Sequence, residues 1–273
     1  MAELSCQADS ENYPRRLRLT QESSAERHYC VMADLNTFFS RAEALRAERT
    51  LRNIALHNVS RWAITGGLAI EVHLHQHGGE SLIRPLHDID FMTASFGAIP
   101  DSLGKELLLR HVHPHDPPGR NMLQGVDPAT QVRIDVFRAY GLEMERIVPV
   151  TVAGLRLRMV SLEDLIARHA RLNWDLLEGN CVAPKIARDF LRMIDLFAPD
   201  ALESIWQEHR KPQQPKSFSQ TIMQLREVIA TRTDLLVSPT YSTDVRDVCR
   251  RCEKVDDFPL TDPSRILAIL GYC

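Results

Sequence analysis

Two aspartates one residue apart, Asp88 and Asp90, stand inside the otherwise apolar run Asp88-Ile-Asp-Phe-Met92. Residues two apart in a strand point to the same face, roughly 6.6 Å from each other at about 3.3 Å rise per residue. Asp88 and Asp90 therefore share one face, and Ile89 and Phe91 take the other. Like charges side by side on a sheet oppose folding unless a cation compensates them. A divalent metal is the natural candidate, because magnesium takes oxygen ligands, uses few protein carboxylates and keeps positions open for water and substrate phosphates. Upstream, Gly66-Gly67 separates the apolar stretch Trp62-Ala-Ile-Thr65 from Leu68-Ala-Ile-Glu-Val-His-Leu74. Glycine lets backbone approach a phosphate closely, and a helix N-terminus presents free N–H groups to an anion. Together the two halves predict a metal–triphosphate site.

A lone Asp-x-Asp is common on solvated strands, and a lone Gly-Gly marks a turn. Specificity comes from the order: glycine pair, helix, double-Asp strand, then a strand carrying one further carboxylate. Asp135 in Gln131-Val-Arg-Ile-Asp-Val-Phe137 supplies the last. There Val132, Ile134 and Val136 alternate with Arg133, Asp135 and Phe137, so Asp135 leaves the aliphatic face and can join the other two.

The wording Trp-Ala-Ile-Thr-Gly-Gly-Leu-Ala-Ile, followed by Arg84-Pro-Leu-His-Asp-Ile-Asp90, resembles the signature of the nucleotidyltransferase superfamily typified by DNA polymerase beta. The resemblance covers about residues 58 to 200. In wording it is most similar to the aminoglycoside and lincosamide nucleotidyltransferases and to the AbiEii-type toxins. It implies an α/β (α+β) fold, with a nucleotidyltransferase core whose mixed sheet is backed by helices, plus a helical C-terminal part. It also implies transfer of a nucleoside monophosphate from ATP or another NTP to an acceptor hydroxyl or phosphate, with pyrophosphate leaving. Mg2+ or Mn2+ would be held by Asp88, Asp90 and Asp135, and Asp135 would also act as general base. Thr65, Gly66 and Gly67 would hold the β and γ phosphates, with Arg84 as a further cation by resemblance alone. His87, which matches the family wording, would support the carboxylates. The acceptor is a small molecule, a tRNA or a protein, and the toxin branch implies an antitoxin partner. A catalytically inactive nucleotide-binding or interaction module that kept the fold is the alternative.

Composition fits an ordinary globular chain: 273 residues, 44% hydrophobic and 25% charged, with a net charge of −3. The balance provides no global basic field for nucleic acid. No run approaches the roughly 20 apolar residues that span a bilayer. The N-terminal residues lack a signal-peptide pattern, so the expectation is a cytoplasmic protein with no membrane partner. The six cysteines are scattered. Cys249-Arg-Arg-Cys252 reads as two helical neighbours rather than half a zinc site, since no second pair follows.

Residues 1–24 are expected to form a flexible arm, 25–160 the core and 161–273 a helical region. Within the core, helical spacing of Val31, Leu35, Phe38, Phe39, Ala42 and Leu45 predicts a helix from about Ala25 to Leu56. A second is predicted over Asp101–Leu109, and His111–Gly119 reads as a loop. A hairpin turns at Asp127-Pro128-Ala-Thr, and strands at 147–159 turn at Ala153-Gly154. Ser161 caps a helix with Leu162, Leu165, Ile166 and His169 on one face. Ile186, Phe190, Ile194 and Phe197 mark the next, and beyond Pro199 further helices include 219–231 and 242–254. The 161–200 stretch resembles an AbiEii-like helix pair, with Lys185, Arg188 and Asp189 matching its Lys-x-x-Arg/Lys-Asp pattern. Many relatives place a phosphate-reaching lysine near His169, so Arg168, Arg171 or Lys185 is expected to substitute. The alternating histidines 73, 75 and 77, and 111, 113 and 115, read as surface residues rather than metal ligands.

Overall fold

A single mixed sheet carries the Asp88–Asp90 strand near its middle. The computed structural model describes residues 31–78, 88–95, 100–112 and 122–237. In chain order these form β1 (Val31–Ala33), α1 (Arg41–Ala55), β2 (Trp62–Thr65), α2 (Gly66–Gln76), β3 (Asp88–Thr93), α3 (Leu103–Glu106) and β4 (Leu108–Val112). Next come β5 (Met122–Asp127), β6 (Val132–Arg138), β7 (Val148–Val152) and β8 (Leu155–Met159), then α4 (Leu162–Asn173), α5 (Pro184–Ile194), α6 (Glu203–His209) and α7 (Phe218–Thr231). The sheet runs β1-β7-β8-β2-β3-β6-β5-β4. Pairs β1·β7, β2·β8 and β3·β6 are parallel, and the others antiparallel. The chain thus has the mixed α/β class expected, with helices following the last strand.

Local chemistry sets the hairpins. Asp127 accepts from the Ala129 N–H through Oδ1 at 2.9 Å, and from the Thr50 hydroxyl of α1 through Oδ2 at 3.1 Å. This fixes the β5–β6 turn and pins α1 to it. Ala153 and Gly154 take φ of 49° and 76°, the left-handed pair that joins two strands in a tight turn. Ser161 accepts the Asp164 N–H at 3.2 Å and starts α4 as its cap.

The apolar partners of the carboxylate strands are fully buried: Ile89, Phe91, Ile134 and Val136. Burial of each stabilises by about 2 kcal/mol, and these residues belong to one core that runs from the sheet into α4, α5, α6 and α7. Two buried ion networks add direction to that packing. Arg192 of α5 grips Glu71 of α2 at 2.8 and 3.0 Å. Arg168 of α4 grips Glu143, in the β6–β7 connection, at 2.7 and 2.8 Å, while Arg146 and His209 converge on Asp164 at 2.7 and 2.9 Å. Burial alone would raise the Asp164 pKa, but hydrogen bonds from His209, Arg146 and Ser161 override it and hold the carboxyl far below the usual range.

Several expectations are corrected. The predicted helix from Ala25 begins only at Arg41, where Ser40 caps it. Val31–Ala33 is instead the edge strand β1, because its backbone pairs with β7. The helix expected over 101–109 shrinks to Leu103–Glu106, since Leu108–Val112 pairs along β5 as β4, and this strand includes His111. Phe197 lies beyond the end of α5 and packs on His77. His73 is buried rather than on the surface. Its Nε2 donates to the Val160 carbonyl at 2.8 Å, and burial lowers its pKa to about 4, leaving a neutral core imidazole. Residues 1–24, Arg84, His87, His113, His115, Cys249, Cys252 and the 242–254 helix lie outside the described residues. Among the described residues no helix is long and apolar enough to cross a membrane.

Candidate metal and nucleotide site

Sheet register brings the predicted residues together. Thr65 of β2 stands opposite Asp90 of β3, Asp90 opposite Asp135 of β6, and Asp135 opposite Gln124 of β5. Directly paired residues point to the same face, so these side chains form one polar row across four strands. One step away, Asp88 faces Arg133 on the same side. Asp88, Asp90 and Asp135 each offer a carboxylate oxygen, all within 4.8 Å of one another.

The glycine pair acts first through space rather than through phosphate. Gly66 opens α2 with φ +60°, and a Cβ added there would lie 1.8 Å from Asp90 Oδ2. Any side chain would collide with the carboxylate and would also suffer the left-handed backbone penalty. The sharp strand-to-helix turn thereby sets the α2 N-terminus against Asp90. Thr65 is buried, and its hydroxyl makes no capping bond to α2.

Charge is concentrated in this corner. Burial, Asp88 and Asp135 raise the Asp90 pKa well above the usual carboxylate range, while Lys185 and Arg133 oppose the rise. Burial pushes Asp135 up to about 6; Asp88 adds to this, and Arg133, Gln124 and Lys185 resist. Gln124 donates to Asp135 Oδ1 at 3.2 Å. Arg133 pairs with Asp88 and, at 3.2 Å, with Asp135 Oδ2.

The possible substitutes for a phosphate lysine narrow to one. Arg168 is engaged by Glu143, and Arg171 donates to the His209 carbonyl at 2.9 Å and lies over the Tyr140 ring. His169 is buried and donates from Nδ1 to the Leu165 carbonyl at 2.8 Å. Lys185, exposed in the first turn of α5, is close enough for its charge to act on both Asp90 and Asp135.

Arg133 and Gln124 are the site residues that sequence reasoning passed over. The alternation of β6 already put Arg133 on the carboxylate face, and the hairpin register would have found Gln124. A second group, Glu143, Asp164 and His209, also brings ligand atoms within 4.8 Å of one another. Arg146 and Arg168 already neutralise its carboxylates, so its chemistry is that of a structural ion network.

No protein-family model matches the chain, and no curated protein matches it. Among solved structures, an antigenic nucleotidyltransferase-like protein from Paracoccidioides brasiliensis aligns over 75% of this chain and 94% of its own, with 15% identity and a TM-score of 0.34. JHP933 from Helicobacter pylori aligns over 73% and 94%, with 15% identity and a TM-score of 0.28. Superpositions this loose assign no residue a role.

Two outcomes follow from this geometry. Gly66→Ala should lose about 1–2 kcal/mol of stability from backbone strain alone, with added loss from displacing Asp90; urea unfolding indistinguishable from wild type would contradict the close approach. The second concerns pH. Because the folded-state pKa of Asp135 is raised from 3.8 to about 6, its contribution favours folding below the unfolded value and is lost as pH rises through about 6. In chelator-treated protein, Asp135→Asn should therefore gain stability relative to wild type between about pH 4 and pH 7, by on the order of 1–3 kcal/mol. A difference that stays flat across that range in denaturant titrations would argue against the strain on this carboxylate.

Proposed function

We propose that the chain is a metal-dependent nucleotidyltransferase that moves a nucleoside monophosphate from an NTP to an acceptor and releases pyrophosphate. The observation that carries this reading is the convergence of Asp88, Asp90 and Asp135 within 4.8 Å beside the positive-φ Gly66 at the start of α2. The donor set suits a hard cation, being all carboxylate oxygen, and burial leaves Asp90 and Asp135 holding negative charge at a cost that a divalent ion would relieve. Asp88 and Asp90 would hold Mg2+ or Mn2+ against the triphosphate, with Asp135 on the acceptor side. When bound, the metal would neutralise phosphate charge and stabilise the attacking and leaving oxygens.

The remaining roles fall to the chain itself. Thr65 and the backbone of Gly66 and Gly67 would cradle the β and γ phosphates at the α2 N-terminus. Lys185 would add a cation from α5, and Arg84 another. Asp135 would take the acceptor proton as general base. The acceptor oxygen then bonds to the α phosphorus, the bond from that phosphorus to the bridging oxygen breaks, and pyrophosphate carries away the electron pair. The acceptor is a small hydroxylated molecule, a tRNA or a protein. A toxin-like member would also need a neutralising antitoxin and would arrest growth when expressed without it.

One observation favours a second reading, a nucleotide-binding module without catalysis: Arg133 already lies among the carboxylates that a metal would occupy. The test is to incubate wild type, Asp88→Asn, Asp90→Asn and Asp135→Asn with each α-labelled NTP, Mg2+ or Mn2+ and a cell extract as acceptor pool. Wild type should place label in one fraction, whether small molecules, RNA or protein. Asp88→Asn and Asp90→Asn should nearly abolish transfer without unfolding the chain. Asp135→Asn should lose about 10²- to 10⁴-fold in turnover while sparing metal–NTP binding better than the other two. Identical, metal-independent behaviour of all four proteins would favour the inactive module.

A further inference from the structure

Arg133 occupies an unusual place. It is paired directly with Asp88 across the parallel β3–β6 register, and its own strand carries Asp135 two residues on. One terminal nitrogen, Nη2, contacts the Oδ2 atoms of both Asp88 and Asp135. The guanidinium thus bridges the two outer members of the cluster, and its side chain is only 8% exposed. A buried cation without an anionic partner is costly, and so is a buried carboxylate left alone. Each therefore holds the other in place.

We propose that Arg133 is a resident cation that stands in for the divalent ion in the metal-free protein and competes with that ion for Asp88. The proposal rests on the reading of the carboxylates as a metal site. An incoming ion needs Asp88 oxygen lone pairs at about 2.0–2.1 Å, and Asp88 Oδ2 already accepts from Arg133. A guanidinium held on this oxygen takes one of its lone pairs and repels the incoming cation. The geometry offers a way out, because the Asp135 contact at 3.2 Å lets the guanidinium stay paired on β6 after letting Asp88 go. Of the other nearby cations, Arg168 is engaged by Glu143 and Arg192 by Glu71, and Lys185 acts by charge on Asp90 and Asp135. Arginine suits the position because Nη2 alone carries two N–H donors, one for each carboxylate, on a guanidinium that is more weakly hydrated than a lysine ammonium. The arrangement keeps the cluster assembled in the absence of metal, at the expense of metal affinity.

The probe is Mn2+ alone, titrated into chelator-stripped full-length wild type, Arg133→Met and Arg133→Lys, with free Mn2+ followed by electron paramagnetic resonance and thermal unfolding recorded with and without the ion. A charge-assisted hydrogen bond lost to competition corresponds to about ten- to a hundredfold in affinity. Arg133→Met should thus bind Mn2+ more tightly than wild type by that factor, melt earlier in chelator and recover more on adding Mn2+. Arg133→Lys should fall between the two, and it carries the comparison if the Met variant does not fold. Adding Asp88→Asn to either variant should remove the gain, which locates the ion at this cluster. A folded Arg133→Met that binds Mn2+ equally or more weakly would overturn the proposal while leaving the metal site intact. Failure of every protein to bind Mn2+ would overturn both readings. Binding by Arg133→Met but not by wild type would uphold Arg133 as the occupant and contradict the transferase reading.

Discussion

Three carboxylates share one partly buried patch of a sheet, and most of the architecture answers the repulsion among them. Two unit charges 4.8 Å apart repel by about 3 kcal/mol even at an effective dielectric of 20. The opposite face of the same strands offsets this, because Ile89, Phe91, Ile134 and Val136 bury fully and gain about 2 kcal/mol each. Arg133 and Gln124 then ease the charge locally, the first by bridging Asp88 and Asp135 and the second by a neutral hydrogen bond. Asp90 and Asp135 still carry raised pKa values, so the compensation is incomplete. A site left short of positive charge is one that attracts a cation.

The scaffold also delivers the other half of the site. Gly66 lets the α2 N-terminus come against Asp90 where no other residue could. Helix α2 is in turn tied to α5 through Glu71 and Arg192, and α5 carries Lys185 in its first turn. The Gly66 turn, the carboxylate strands and the lysine-bearing helix are therefore coupled through buried ion pairs as well as through the shared core. The Glu143–Asp164–His209 network does a similar task for α4 and α6, joining them to the connection between β6 and β7.

The site was more legible in the sequence than the fold around it, for a physical reason. Period-two alternation in Asp88–Met92 and Val132–Phe137 assigns each side chain to a face without reference to the rest of the chain, and so it put the three aspartates together. What local pattern could not resolve was competition for backbone partners. Leu108 and Leu109 read as the end of a helix, yet β5 recruits them into β4, and Val31–Ala33 is recruited by β7. Long-range charge pairing was equally hidden: Glu143, Asp164 and His209 carry no mutual signal along the chain. The fates of Arg168 and Arg171, expected as phosphate contacts, were set by those distant acceptors.

The central claim is that Asp88, Asp90 and Asp135 form a divalent-metal site facing the α2 N-terminus. Anomalous diffraction at the manganese edge, from crystals grown with Mn2+ and a non-hydrolysable NTP analogue, tests it most directly. The account predicts a peak about 2.0–2.2 Å from oxygens of Asp88 and Asp90, with the triphosphate against Thr65, Gly66 and Gly67. No peak there, or one confined to Glu143, Asp164 and His209, would contradict it.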